Sequence, residues 1–309
     1  MLRSLLLYLS EATWARQLVM RFPVARRVAL RFVAGETLED AIEAIRRLNA
    51  KGITATADHL GESVYTEHEA IRATTDYIAL LDCIHQSEVD SWVSLKLTQL
   101  GLDISAVFCL DNLRRILNYA RERGIQVTID MESTEYTERT LNIFHNLHDE
   151  MGYENVRAVI QAYLYRSEAD VETLVENGAG VRLCKGAYNE PPDLAFPKKA
   201  DTDANFVRLT EMLLDAAARN GGYPAIGTHD EHMIAAAKQY AAEHDIDRDA
   251  FEFQMLHGIR SEMQEALVKE GYRMRVYVPY GTEWYPYFMR RLAERPANLW
   301  FFVSSLFRN

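Results

Sequence analysis

The chain has 309 residues, 48% hydrophobic and 26% charged, a balance that builds a globular protein with a sizeable core and excludes a disordered one. Its formal net charge of −11 argues against general nucleic-acid binding, which needs a basic surface to displace counterions from phosphates. Cys83, Cys109 and Cys184 are odd in number, widely spaced and never in a Cys-x-x-Cys pair. That pattern argues against a disulfide framework and points to a reducing, cytoplasmic compartment.

Residues 1–35 depart from the acidic balance. They hold six arginines (Arg3, Arg16, Arg21, Arg26, Arg27, Arg31), no lysine and one acid, Glu11, for a net +5. The apolar run at 5–9 stops at Ser10 and Glu11 without a small-residue cleavage site, and it is far short of the ~20 residues that span a bilayer. Two readings remain: a helix packed on the main domain, or a basic amphipathic helix lying as a peripheral contact on an anionic membrane surface.

Leu38, Ala41, Ile42, Ile45 and Leu48 then recur at helical spacing, with Thr37 as N-cap and Gly52 just beyond the end. From residue 53 short β-rich runs alternate with longer helical ones. Strands are expected at 53–58, 92–96, 126–131, 157–163, 180–185, 225–228, 252–256 and 273–278. Helices are expected between them, such as 111–123, 204–220 and 232–242, and a last one at 284–295. Eight strands alternating with helices give the count that closes a parallel (βα)8 TIM-type barrel. The expected organisation is one domain over 1–309, with N-terminal helices in 1–50, the barrel in 53–309 and the final helix over its top. Gly-x-Gly-x-x-Gly is nowhere in the chain, which disfavours a Rossmann dinucleotide domain.

Active sites of such barrels sit where the C-terminal strand ends meet the βα loops. Those ends carry Asp58, Lys96, Asp130, Gln161, Arg182 with Lys185, Thr228 with His229, Gln254 with His257, and Tyr277. A single polar strand end is unremarkable, but so many together make a charged cup. Asp58, His59, His229 and His232 leave open a metal-dependent amidohydrolase-like barrel, weakened by the missing His-x-His on the first strand. The enzyme reading with no metal is preferred.

Nine segments sharpen the reading: 58–62 (DHLGE), 94–97 (SLKL), 130–132 (DME), 161–163 (QAY), 181–188 (VRLCKGAY), 227–230 (GTHD), 252–258 (EFQMLHG), 276–281 (VYVPYG) and 290–298 (RRLAERPAN). In this order they closely resemble proline dehydrogenase, of the monofunctional bacterial type. The resemblance implies FAD as cofactor, with Met131, Gln161, Lys185, Gly186, Ala187, Thr228 and His229 contacting it and Tyr188 beside the flavin. It makes Arg182 and Asp130 the catalytic residues. Arg182 would face flavin N5, where a cation stabilises charge developing in hydride transfer. Lys96, Arg290 and Arg291 would bind the proline carboxylate or close over it, with Glu62 pairing with Arg290 as a lid and Arg291 acting as a fixed clamp. Tyr277, Tyr287 and Leu256 would pack around the five-membered ring. The implied reaction is oxidation of L-proline to Δ1-pyrroline-5-carboxylate by hydride transfer from C5 to FAD N5, the first step of proline catabolism. The electrons would then pass to a membrane quinone.

Overall fold

The computed structural model describes residues 30–220 and 222–294, together with residues 6, 8–10, 12, 14, 15 and 19. The first continuous helix, α1 (Leu38–Asn49), starts with a capping box: the Thr37 hydroxyl accepts from the Asp40 amide, and the Asp40 side chain accepts from the Thr37 amide. The barrel follows as β1 (Thr54–His59), α2 (Glu67–Gln86), β2 (Ser91–Leu95), α3 (Ala106–Arg121), β3 (Val127–Ile129), α4 (Thr134–His145) and β4 (Val156–Gln161). It continues through α5 (Ser167–Glu176), β5 (Gly180–Cys184), α6 (Lys199–Asn220), β6 (Ala225–Gly227), α7 (Glu231–Glu243), β7 (Glu252–Leu256), α8 (Ser261–Lys269), β8 (Arg273–Tyr280) and α9 (Trp284–Glu294). Each strand pairs in parallel with the next, and β8 returns to β1, with Ala55 opposite Val276 and Asp58 opposite Pro279. The expected (βα)8 barrel is therefore the fold.

Boundaries moved where local chemistry outweighed the apolar pattern. Helix α3 begins at Ala106 rather than 111, because the Ser105 hydroxyl caps it by accepting from the Phe108 amide. Strand β3 is shorter than expected, yet the Asp130 amide still donates to the Leu95 carbonyl at 2.8 Å, so the ladder reaches Asp130.

Successive strand side chains point to opposite faces, and the two faces differ in chemistry. Outward, Ala57, Val93, Leu95, Ile129, Leu183 and Val276 are buried with helix residues such as Tyr77, Leu113 and Phe206 in one apolar core. Toward the barrel axis the same strands send Thr56, Asp58, Trp92, Ser94, Lys96, Thr128, Asp130, Arg182, Gln254 and Tyr277, many of which bond one another across the barrel. A second apolar cluster caps the top: Trp284, Tyr285, Phe288 and Leu292 of α9 meet Phe32, Val33 and Leu60. Leu6 and Ala15 are buried in that cluster, and the Tyr285 hydroxyl donates to the Leu9 carbonyl at 2.9 Å. The packing reading thus holds for these N-terminal positions. Of the six N-terminal arginines only Arg31 is among the described residues, so the basic segment of the membrane reading lies outside them. Among the described residues no helix is long and apolar enough to cross a membrane.

The lower end of the barrel interior is closed by charge and aromatic rings. Arg275 Nε donates to both Glu252 oxygens, at 2.9 and 3.1 Å, its Nη1 donates to the Ala55 carbonyl, and its guanidinium lies 3.5 Å from the Trp92 ring centre. Gln254 donates to Glu252 at 2.5 Å, so it belongs to this lower network and not to the cup where its strand position had put it. His257 is likewise no part of the cup: its amide donates to the Tyr277 carbonyl, and burial, aided by Arg47, lowers its imidazole to about 4 and keeps it neutral. Conserving the Arg275–Glu252 pair matters because removing one partner of a buried pair costs about 3–5 kcal/mol, whereas replacing both is far cheaper. Glu252→Met is accordingly expected to lose roughly that much stability in urea unfolding and Glu252→Met with Arg275→Met clearly less; a single variant as stable as the parent would deny the pair this role.

Candidate active site

At the opposite end, five strands and one helix bring one polar network together. Asp130, just past β3, accepts from Arg182 Nη1 of β5 at 2.6 Å, and Arg182 Nη2 donates to the Ser94 hydroxyl of β2 at 3.0 Å. Ser94 in turn donates to Asp130 at 3.2 Å. The Tyr277 hydroxyl of β8 sits 2.7 Å from both Asp58 Oδ2 and Asp130 Oδ2, so one phenolic proton serves two carboxylates. Lys96 Nζ reaches Asp58 at 3.4 Å, and Tyr77 of α2 approaches the same carboxylate from below. The Arg182 guanidinium lies 5.5 Å from the Tyr277 ring centre.

The protonation states follow from burial and charge. Burial by itself would lower the Lys96 ammonium, but the carboxylates of Asp58, Asp130 and Glu62 outweigh it and the net direction is upward. Lys96 therefore stays cationic. Burial, then the charges of Asp130 and Asp58, push the Tyr277 phenol well above its ordinary range, so it remains a donor.

Above the network, Glu62 in the β1–α2 loop and Arg290 on α9 form a two-pronged pair at 2.9 and 3.0 Å. Burial would raise the Glu62 carboxyl, but the charge and hydrogen bonds of Arg290 outweigh it and hold it below its usual value. A cleft of ≈ 680 Å³ opens beside this pair, bordered by Lys96, Glu62, Arg290 and Tyr287. Arg291 is buried too, and its guanidinium is 5.1 Å from the Tyr287 ring centre. Neighbours on a helix diverge by about 100°, which separates the tandem arginines as expected.

The remaining positions line the far half of the mouth. Gln161 Nε2 donates to the Met131 carbonyl at 3.5 Å. The Leu256 amide donates to His229 Nε2 at 2.9 Å, which leaves the proton of a neutral imidazole on Nδ1. Thr228 Oγ1 accepts from the Asp230 amide. Burial raises the Tyr188 phenol. Lys185 is drawn to Asp203 at 2.5 Å and Asp230 at 2.7 Å. Burial would raise Asp230, but the Lys185 hydrogen bond and charge bring it down to about 2. Gly186 has φ +108°, and a Cβ there would stand 2.3 Å from a Tyr163 ring carbon, so only glycine lets the chain pass this close.

Ser94, Tyr77 and Thr98 were not singled out in the sequence. Ser94 was within reach, since it lies two residues before Lys96 on the same strand face. Tyr77 sits on the apolar side of a helix and carried no signal.

A closed parallel barrel whose strand ends converge on one buried charged network is the architecture of a (βα)8 enzyme. The chain belongs to the proline dehydrogenase family, an oxidoreductase family of proline metabolism: the family model described as "Proline dehydrogenase" matches residues 41–303. It is 44% identical over 308 residues to Proline dehydrogenase 1 of Bacillus subtilis (strain 168), covering 100% of both chains. It is 42% identical over 284 residues to Proline dehydrogenase of Deinococcus radiodurans, covering 91% of this chain and 90% of that one. Among solved structures it resembles proline utilization A from Bdellovibrio bacteriovorus inactivated by N-propargylglycine, with TM-score 0.81 and 30% identity over 87% of this chain and 33% of that one. The amidohydrolase-like alternative is overturned by this family membership. Its residues are also dispersed, since His59 stacks on Tyr280 at 5.2 Å and His232 is exposed.

One further carboxylate is unusual. Burial raises Glu132 to about 7 although Thr98 donates to it twice. A carboxyl that binds its proton more tightly when folded contributes stability that is full below its unfolded value near 4.5 and is lost as pH rises through about 7. Stability relative to Glu132→Gln is thus expected to fall between pH 5 and 7.5 by on the order of 3 kcal/mol, as measured by urea unfolding across that range. A difference independent of pH would show that Glu132 is ionised throughout.

Proposed function

We propose that this family member is a FAD-dependent enzyme that oxidises L-proline to Δ1-pyrroline-5-carboxylate, with its electrons leaving to a membrane quinone. The observation that carries the reading is the Arg182–Asp130–Tyr277 network beside Lys96, roofed by the Glu62–Arg290 pair. It offers cations for a carboxylate and a rigid floor for the five-membered ring. The quinone rests on the sequence resemblance alone.

The residues present fit the cofactor. Gln161 Oε1 and Arg182 Nε are buried side-chain atoms without a hydrogen-bond partner among the described residues, an expensive condition that a polar ligand edge relieves. Met131, Gln161, Lys185, Gly186, Ala187, Tyr188, Thr228 and His229 would hold FAD, and Gly186 keeps the backbone approachable. Lys185 would share its ammonium between an anion and the two acids it already meets. When bound, FAD supplies the two-electron oxidant that takes up the hydride leaving proline C5.

The chain's own residues account for the rest. Lys96 and Arg291 would hold the proline carboxylate, the latter by a two-pronged contact that a lysine does not reproduce. Cations packed around the substrate disfavour its ammonium form, so the amine arrives with the lone pair that forms the C=N bond. As C5 loses its hydride, the nitrogen becomes an iminium, whose N–H proton goes to solvent. Asp130 would keep Arg182 aimed, and Tyr277, Tyr287 and Leu256 would exclude water from the ring.

The purified protein is expected to be yellow, and anaerobic L-proline is expected to bleach its flavin band while D-proline and glycine leave it nearly unchanged. Faster bleaching by an acyclic amino acid would remove the substrate assignment. Arg182→Met is expected to keep the fold and most of the FAD while slowing flavin reduction by at least 10²-fold, as for loss of one preorganised electrostatic partner. Stopped-flow reduction at the parental rate would take Arg182 out of the mechanism.

Peripheral membrane contact through residues 1–35 belongs to the same proposal. Their net +5 is drawn to anionic lipid, and Tyr8 and Trp14 are exposed among the described residues. Changing Arg3, Arg16, Arg21, Arg26 and Arg27 to Gln is expected to reduce co-sedimentation with phosphatidylserine vesicles; unchanged sedimentation would leave the segment with packing alone.

A further inference from the structure

The β1–α2 loop that carries Glu62 is held at Ser63 and Val64 by Thr98. Thr98, in the short helical turn after β2, accepts from the Val64 amide through its carbonyl at 3.2 Å and from the Ser63 amide through Oγ1 at 3.1 Å. Its own donors are both spent on Glu132: the hydroxyl on Oε2 at 2.7 Å and the amide on Oε1 at 3.2 Å. Thr98 is fully buried and Glu132 nearly so. A hydroxyl has one proton and two lone pairs. With the proton committed to Glu132, a lone pair is left facing Ser63. The next residue, Gln99, holds the start of the same loop, since its Nε2 donates to the His59 carbonyl at 3.1 Å.

Ser63 adds a second observation. Its φ is +54°, a left-handed conformation that a non-glycine residue holds only when its surroundings impose it. The hydrogen bond to Thr98 and the neighbouring one from Val64 are the groups in place to impose it. Glu62 immediately precedes Ser63, so the direction of its carboxylate depends on how these two amides are held.

We propose that Thr98 and Glu132 are positioning residues forming a latch: they hold the Ser63 and Val64 amides and thereby place the Glu62 carboxylate where it grips Arg290. The proposal rests on the reading of Glu62 and Arg290 as a lid over bound proline. Among the described residues Thr98 hydrogen-bonds neither the polar network around Asp130 nor any residue assigned to the cofactor, whereas Glu132 directly follows Met131 and lies in the field of Lys96, so the kinetic test is made at Thr98. Loss of the latch there therefore acts on retention of substrate and not on the oxidation step, raising KM while leaving kcat near its original value. The raised affinity of Glu132 for a proton is compatible with the latch and is not needed for it.

The test combines kinetics with amide hydrogen exchange on the intact, flavin-loaded protein. Thr98→Val keeps the shape and the backbone amide that donates to Glu132 Oε1, but removes the hydroxyl, and with it both the donor to Glu132 Oε2 and the acceptor of Ser63. Loss of such a hydrogen bond is expected to raise the proline KM about fivefold, with kcat changed less than twofold and exchange at Ser63 and Val64 faster by tenfold or more. Thr98→Ser retains the hydroxyl and is expected to restore all three values. Glu62→Ala is expected to raise KM by itself, and Thr98→Val added to Glu62→Ala to raise it no further. If Glu62→Ala raises KM while Thr98→Val does not, the latch is wrong and the lid stands. Should Thr98→Val raise KM equally on both backgrounds, Thr98 acts through something other than Glu62, and the latch is again wrong. No rise with Glu62→Ala overturns the lid and the latch with it. Were Thr98→Val not to fold, Thr98→Ala with exchange at Ser63 and Val64 decides, since unchanged exchange there rejects the latch.

Discussion

Charge compensation inside the barrel is the constraint from which the rest of this molecule follows. An isolated ion moved from water into a protein interior is expensive, and a pair repays that cost only with good geometry and further hydrogen bonds. Here Arg182 meets Asp130, Lys96 meets Asp58, Arg290 meets Glu62 and Arg275 meets Glu252. Tyr277 joins two of these pairs by placing its hydroxyl between Asp58 and Asp130. Such a network is rigid because moving any member strands another. That rigidity is also what electrostatic catalysis requires, since groups held in advance need no reorganisation when charge develops.

The two faces of the strands divide the labour. Outward residues such as Ala57, Val93, Ile129 and Val276 pack against helices and supply the hydrophobic stabilisation. Because that face suffices for a core, the interior is released for polar chemistry. Within it the lower end, with Arg275, Glu252 and Trp92, seals the barrel, while the upper end carries the cup. This matches the general separation of stability and activity between the two ends of such barrels.

Helix α9 links packing to reactivity. Its apolar residues Trp284, Phe288 and Leu292 are locked over the barrel by Leu60 and Phe32, and this fixes the frame from which Arg290 and Arg291 diverge. Arg290 crosses to a loop that holds Ser63 in a left-handed conformation, whereas Arg291 stays over Tyr287 on its own helix. The crossing arginine depends on a loop and the other on a rigid element, a difference in keeping with the proposed lid and clamp.

The alternation of strands and helices, the barrel class and the polar strand ends were all legible in the sequence, because each rests on a period or a cap spanning a few residues. The segments 181–188 and 290–298 even carried the family, and the expected pairing of Glu62 with Arg290 is present. Partner choice across the barrel was not legible. Gln254 stood at a strand end like the others, yet Glu252 two residues earlier draws it downward, and His257 is held neutral by burial. Tyr77, on the apolar side of α2, carried no sign in the sequence that it would reach Asp58. Thr98 and Glu132 lie 34 residues apart and show no pattern linking them. Periodicity is a local property of the chain and is written in it, whereas which donor meets which acceptor inside a closed barrel depends on strands brought together from distant positions, and only the tertiary structure decides that.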